Sequence, residues 1–354
     1  MFAADSKVVS TPANDVSYAS AAQDWRQIIE PVEPFLEAVS RRMAKQVEVF
    51  DPEIVRYADY ALNGQGKHLR AGLVALTAKA LGKVQDAHVT VAVIIEMVHL
   101  ATLVHDDVID EADLRRGRPT LAANWSNEIA VLFGDCLFAH ALTLAASFPT
   151  PEICRAVAMA TNTVCSGEIL QIQHRRDFQF TRERYFKVLE MKTAELFALA
   201  CELSAGLSGV ATELRAAMRE FGLAFGTAYQ LYDDCLDLFG SEAAAGKSLG
   251  TDVAKGKLTL PVLLLWERAD AADRSRLRTL IESWQPASLT SLETLLSKYD
   301  APALALQMVH HYLEQARQSL SRLPDSAGRA GLLGLVDYLA RQADALGPVR
   351  ASAL

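Results

Sequence analysis

An all-α fold is predicted for this chain, and three observations predict it. The 354 residues are 51% hydrophobic, rich in Ala and Leu, and hold only 12 Pro. Apolar side chains recur at helical spacing through long segments, as they do along one face of a helix. No strand pattern competes with them, and no internal repeat of fixed period stands out beyond one duplicated acidic motif. The length admits one large or two modest domains with a sizeable core. A net charge of −8 argues against nucleic acid as the main partner. It leaves open phosphate ligands, which are met by local charge.

Residues 1–20, rich in Ser, Ala and small polar residues, are expected to be disordered, with the globular part running over 21–350. From Trp25 to about Val49 the residues Ile28, Ile29, Val32, Phe35, Leu36 and Val39 keep helical spacing. Asp51-Pro52 resets the chain, with Pro52 suited to a helix start. A Gly-rich turn then feeds a helix beginning near Lys67. Lys67 and Arg70 fall in its first turn, where the helix dipole disfavours cations. They are either solvated charges or part of an anion site built with backbone N–H groups.

The next helix is expected over 87–114 and ends in EMVHLATLVHDDVIDEADLRRGRPT (96–120), with Gly117 and Pro119 breaking the chain. Positions i and i+4 share a helix face, so Asp106 and Asp110 point the same way with Asp107 beside them, and Thr102 and His99 lie under that stripe. The segment 130–148 is almost wholly apolar and should be buried on most sides. The helix around 155–177 carries Glu168 and Gln171, read as an interhelical hydrogen-bonding pair, and the next long helix holds Lys192 and Thr193 in an apolar stretch. A Lys there can snorkel, so Lys192 alone says little.

A helix over Thr212–Phe239 ends in AYQLYDDCLDLFG, in which Asp233, Asp234 and Asp237 repeat the first acidic spacing and Gln230 lies one turn earlier. A loop with Lys247, Lys255 and Lys257 leads to a further apolar helix at Thr259 and Pro261. The remainder, for example 301–322 and 329–346, is amphipathic helix without a catalytic constellation. The five cysteines (Cys136, Cys154, Cys165, Cys201, Cys235) show no CxxC pair and are expected to be reduced, buried thiols, Cys235 packing off the acidic face. No secretory signal is apparent, and no apolar run reaches about 18 residues without a charge. A cytoplasmic protein with no transmembrane segment is expected.

One DDxxD on a helix is an ordinary solvated face. Two copies at the ends of long apolar helices, each followed by basic residues, make a different case. Clustered carboxylates repel each other and are costly to desolvate, and a divalent cation relieves both. Oxygen ligands without His or Cys suit Mg²⁺, which keeps waters and is completed by phosphates. Two such clusters across a helical cavity would bind several ions bridged by a polyphosphate, with Arg115, Arg116, Lys192, Lys247 and Lys257 adding positive charge. Lys67, Arg70 and His99 could hold a second anionic group. A diphosphate clamped above an apolar well suits ionisation of an allylic diphosphate and attack by a neutral alkene, and no side-chain nucleophile is needed or seen.

At this point the chain closely resembles the trans-isoprenyl diphosphate synthase (polyprenyl synthetase) family. The matching pieces are GKHLR (66–70), 96–120, VLFGD (131–135), GEILQ (167–171), KTAELF (192–197), AYQLYDDCLDLFG (228–240) and GKSLGTDVAKGKLTLP (246–261), within residues 25–350. The resemblance implies a single all-α bundle around a central apolar cavity, typically a homodimer. It implies Mg²⁺ as cofactor, about three ions per site, bound by Asp106, Asp107, Asp110, Asp233, Asp234 and Asp237. Arg115, Lys192, Thr193, Gln230, Lys247 and Lys257 would grip the allylic diphosphate, while Lys67, Arg70, His99 and Arg116 would hold isopentenyl diphosphate. Of these, Asp106, Asp107, Asp110, Arg115, Lys192, Asp233 and Lys247 would act on the reacting diphosphate. Ala71 stands where many members have Pro and His68 where many have Arg, and the tail beyond Arg350 lacks a basic end.

Family members set product length near the first motif, and here Ala101 and Thr102 are small where short-chain enzymes tend to have aromatics. A product longer than fifteen carbons is therefore expected, with Phe133 or Phe138 a possible deeper floor. A class I terpene cyclase would mix Asn, Ser and Glu into its second motif, and a squalene-synthase-like enzyme would carry DxxED motifs. DDCLD at 233–237 fits neither. A non-catalytic subunit of a heteromeric synthase would usually lose carboxylates, and all six are present.

Overall fold

The computed structural model describes residues 25–62, 66, 68–115, 117–242 and 248–347. The expectations for residues 1–20, Lys67, Arg116, Lys247 and the tail beyond Arg350 lie outside them. The chain enters through short helical turns into α1 (Glu33–Gln46), then α2 (Val55–Leu62) and α3 (Leu69–Leu81). After α4 (Asp86–Ile109) comes a two-residue antiparallel hairpin, β1 (Leu114–Arg115) with β2 (Arg118–Pro119), whose turn uses Gly117 at φ 73°. It is the only strand pairing among the described residues. Then follow α5 (Leu121–Asn124), α6 (Asn127–Ala146), α7 (Glu152–Gln173), α8 (Arg182–Leu189), a π-helical turn (Glu190–Ala194), α9 (Glu195–Leu207) and α10 (Thr212–Phe239). The chain closes through α11 (Thr251–Ala254), α12 (Leu260–Arg268), α13 (Ala271–Glu282), α14 (Ser288–Lys298), α15 (Ala301–Leu320) and α16 (Ala327–Leu346).

Side-chain oxygens start several of these helices: Thr120, Ser126, Thr181, Asp270 and Ser326 each accept from a backbone N–H three residues on. One continuous core runs from Val32 to Ala343. Helix α4 packs on α6, α3 and α9, while α10 lies against α9 and α15. Gly222 and Gly226 of α10 let it approach α9, since a Cβ on Gly222 would stand 2.5 Å from the Phe197 carbonyl oxygen. The same crossing stacks Phe197, Phe221 and Phe225 in the core. These contacts bring the C-terminal ends of α4 and α10, and so both acidic motifs, to one end of the bundle.

Three expectations are corrected. Helix α4 stops at Ile109 rather than running to residue 114, so Asp110 is its cap residue, on the cavity wall with Asp106; the others concern burial. Helix α6 is not buried on most sides: Leu132 is 62% exposed and Val131 beside it is open too. On α7 the apolar Met159, Ile169 and Ile172 are exposed as well. Cys165, also on α7, is exposed rather than buried. Both α4 and α6 are long and apolar enough to cross a membrane by length and composition, but 67% of the α4 window is buried inside the bundle, which makes it a core helix.

Candidate active site

A cavity of about 710 Å³ opens where the two motifs meet. Its wall includes Asp106, Asp107 and Asp110 from the end of α4, and Asp233 and Asp234 from α10. Lys192 and Thr193 reach it from the π-helical turn, Gln230 from α10, and Lys255 and Lys257 from the loop after α11. Leu103, Val188, Leu189 and Leu258 supply apolar wall. One π turn re-aims side chains relative to a regular helix, and such turns recur at functional sites. Here Gly167 of α7 packs against the backbone of Lys192 and holds the turn in place.

The charges are interlocked. Arg115 binds Asp107 Oδ1 through Nε and Nη2 at 2.8 and 2.7 Å. Asp110 receives Arg175 on Oδ1 at 2.6 Å and both Lys255 and Lys257 on Oδ2 at 3.1 and 3.0 Å. Lys192 pairs with Glu168, donates to Gln171 Oε1 at 2.9 Å and stands 3.9 Å from Asp106. Thr193 donates to Gln230 Oε1 at 3.0 Å, Gln230 donates to Asp234 Oδ1 at 2.8 Å, and Tyr185 donates to the other oxygen of Asp234. The Glu168–Gln171 pair is thus interhelical, as expected, and its partner is Lys192.

Burial acts differently on each acid. It would raise Asp110 as well, but Lys257 and Lys255 hold that carboxyl down at about 2. Asp106 is raised by burial, with Glu168 adding to the shift and Lys192 opposing it. Asp107 is also raised by burial, against Arg115. Asp234 is pushed up to about 8 by burial and by nearby Asp252 and Asp233, despite the bonds from Tyr185 and Gln230. Burial would lower Lys257, but Asp252 and Asp110 carry it above its ordinary value.

Among the described residues, five expected site residues lie off the cavity wall: Asp237, Arg70, His99, Ala101 and Thr102. Asp237 is fully buried and absent from the cavity wall; its carboxylate accepts from Thr251 Oγ1 at 2.6 Å and from the Asp252 N–H at 3.0 Å, anchoring the following loop. Arg70 lies within the bundle with its guanidinium 4.5 Å over the Phe197 ring and its Nε unpartnered. Burial lowers Arg70, and Glu96 opposes the shift. Glu96 itself accepts from the Ala71 N–H at 3.0 Å and pairs with His68 at 3.2 Å, so the start of α3 meets a carboxylate from within the chain. His99 is half-buried on α4. Ala101 is wholly buried and Thr102 donates to the His99 carbonyl at 2.7 Å, both outside the cavity wall.

Glu96, Glu168, Arg175, Tyr185, Asp252 and Lys255 escaped the sequence assignment. Glu168 and Lys255 had a signal, the i, i+3 pair with Gln171 and a basic loop beside Lys257. Tyr185 and Arg175 act only through contacts distant in sequence.

The donor set fits Mg²⁺: carboxylates from two helices face one cavity, and His174 on its wall is taken up by Asp177 at 2.8 Å. Among the described residues no three such side chains close a metal shell by themselves. That suits an ion completed by water and phosphate oxygens. The arrangement can hold a polyanion through metal ions and cations while shielding its organic part from water.

The chain also resembles known proteins in sequence and in fold. The Polyprenyl synthetase family model matches residues 51–298. Octaprenyl diphosphate synthase of Escherichia coli K12 is 35% identical over 288 residues, covering 80% of this chain and 88% of that protein. The crystal structure of a decaprenyl diphosphate synthase from Rhodobacter capsulatus superposes with a TM-score of 0.84 at 31% identity, over 89% of this chain and 98% of its own. A polyprenyl synthase from Caulobacter crescentus CB15, complexed with calcium and isoprenyl diphosphate, gives 0.84 at 30% identity over 90% and 97%.

Proposed function

The chain belongs to the polyprenyl synthetase family, and from that premise we propose that it elongates an allylic diphosphate with isopentenyl diphosphate to an all-trans polyprenyl diphosphate. The observation that carries this reading is the meeting of both acidic motifs, Lys192, Lys257 and an apolar wall at one cavity. Bound Mg²⁺, about three ions in our reading, supplies stabilisation of the charge that develops on the departing diphosphate. Asp106, Asp107, Asp110, Asp233 and Asp234 are assigned to hold it, with Asp237 acting through the loop it anchors.

The chain's own residues do the rest. Lys192, Lys257 and Arg115, with Lys247, take the leaving diphosphate as its carbon–oxygen bond breaks and the electron pair departs with oxygen. Thr193 and Gln230 orient it. Leu103, Val188 and Leu189 keep water from the allylic cation. The alkene of isopentenyl diphosphate, assigned to Lys67 and Arg116 with Arg70 and His99 set off the described cavity wall, then attacks and forms the new carbon–carbon bond. The proton lost next passes to the freed diphosphate. The named relatives make octaprenyl and decaprenyl diphosphates, and Ala101 and Thr102 are small. Both support a product longer than fifteen carbons.

A homodimer, seated on the apolar face of α6 and α7, belongs to the same reading, as does a cytoplasmic enzyme drawing on water-soluble diphosphates. The test is incubation of the purified protein with labelled isopentenyl diphosphate and dimethylallyl, geranyl or farnesyl diphosphate, with Mg²⁺ or with a chelator. Elongation that the chelator abolishes is expected. Absence of elongation with every primer would overturn the reading.

A further inference from the structure

The loop 250–257 ties the two acidic motifs together. One end hangs on Asp237, through Thr251 and the backbone of Asp252, with the Gly250 N–H donating to the Asp237 carbonyl at 2.7 Å. The other end reaches Asp110 through Lys255 and Lys257. That end is latched to the turn after α7, where the Arg176 N–H donates to the Gly256 carbonyl at 2.7 Å. Both residues of the latch are left-handed, Arg176 at φ 58° and Gly256 at φ 77°. A Cβ on Gly256 would stand 2.7 Å from Arg176 Cγ. The position of Lys255 is therefore built by the fold.

The cavity is also electrically polarised. On one side Asp110 and Asp252 bring two negative charges to Arg175, Lys255 and Lys257. On the other, Asp106 and Glu168 share the single ammonium of Lys192. Three cations around two carboxylates, half-buried as Arg175 and Lys255 are, favour the arrival of a further anion. The first corner thus carries the cations for a phosphate beside any metal that Asp110 holds, and the second suits a cation. Because Arg175 already satisfies Asp110 Oδ1, the two lysines on Oδ2 keep donors for another acceptor.

We propose that Lys255 is a diphosphate-binding residue alongside Lys257, and that Arg175 is the positioning residue that frees it by neutralising Asp110. The inference rests on the prenyltransferase reading and deepens it. The full-length protein is titrated calorimetrically with inorganic diphosphate in Mg²⁺, without turnover, and with Mg²⁺ alone. Lys255→Gln should weaken diphosphate binding about tenfold, the loss of one charge-assisted hydrogen bond. Lys255→Arg should restore it to within about threefold. Magnesium binding in the absence of diphosphate should be undiminished in Lys255→Gln, since a competing cation has gone. Arg175→Gln should weaken diphosphate binding several-fold, with recovery in Arg175→Lys. Diphosphate binding by Lys255→Gln equal to wild type, or an equal loss of magnesium binding, would overturn the role of Lys255. Failure of the wild type to bind magnesium and diphosphate together would overturn the prenyltransferase reading itself.

Discussion

Replacing Gly167 with Ala tests whether the π-helical turn places Lys192. A Cβ at Gly167 would lie 2.8 Å from the Lys192 backbone N, 2.9 Å from Met191 Cβ and 3.2 Å from Lys192 Cα. None of these atoms can swing aside. Carbon contacts settle at about 3.5–4.0 Å, so the turn must retreat by roughly 0.7–1 Å. Overpacking of this kind costs about 1–3 kcal/mol of stability. The retreat would also shift the ammonium that pairs with Glu168 and Gln171 beside Asp106. Misplacement by about 1 Å can cost about 10²-fold in rate, equivalent to about 2.7 kcal/mol. Thermal melting and steady-state elongation kinetics read both effects, and kcat/KM should fall by about 10–100-fold. Gly206→Ala is the control, because its nearest contact would be an ordinary 3.7 Å to Arg215. Gly167→Ala with wild-type melting and turnover would refute the positioning argument.

Other expectations follow from the same geometry. Thr102→Phe should shorten the product by closing the path below the first motif, and an unchanged product distribution by chromatography would sink the chain-length assignment. Asp234, raised to about 8, must lose its proton before it can bind a cation. Apparent Mg²⁺ affinity should therefore climb by up to about tenfold per pH unit below that value and level off above it; a flat calorimetric profile would contradict this. Without metal, the same raised pKa means that the folded state retains a proton the unfolded chain has lost. Stability should then fall as pH rises from the ordinary carboxyl range toward 8, and Asp234→Asn should reduce that fall in melts under chelator. Leu132→Asp with Met159→Asp should leave a folded monomer by light scattering if α6 and α7 form the dimer face; an unchanged mass would remove that face from consideration.

Much of this was legible in the sequence because the signals were local. The bounds of α10, Thr212–Phe239, appear as written in its apolar spacing, and the twin DDxxD motifs marked the two helix ends that meet at one cavity. Three features escaped because their causes lie elsewhere in the chain. The π turn at Glu190–Ala194 keeps a helical pattern and is set off by the close approach of Gly167. Asp237 shares its spacing with Asp110, yet the loop that bonds to its carboxylate determines where it points. Helix α6 is apolar enough for burial on most sides, and a pattern of hydrophobicity cannot say whether the cover comes from the same chain. Arg175 carries no motif, and only the latch between its turn and Gly256 brings it to Asp110.

The most direct measurement is a crystal structure with Mn²⁺ and a non-ionising thio-analogue of the allylic diphosphate, with the metals located by anomalous scattering. The account predicts metal peaks bridging the diphosphate to Asp106 or Asp110 on one wall and to Asp233 or Asp234 on the other, with Lys192 and Lys257 on the same phosphates. Metals and diphosphate bound away from these carboxylates, or at only one of the two motifs, would contradict it.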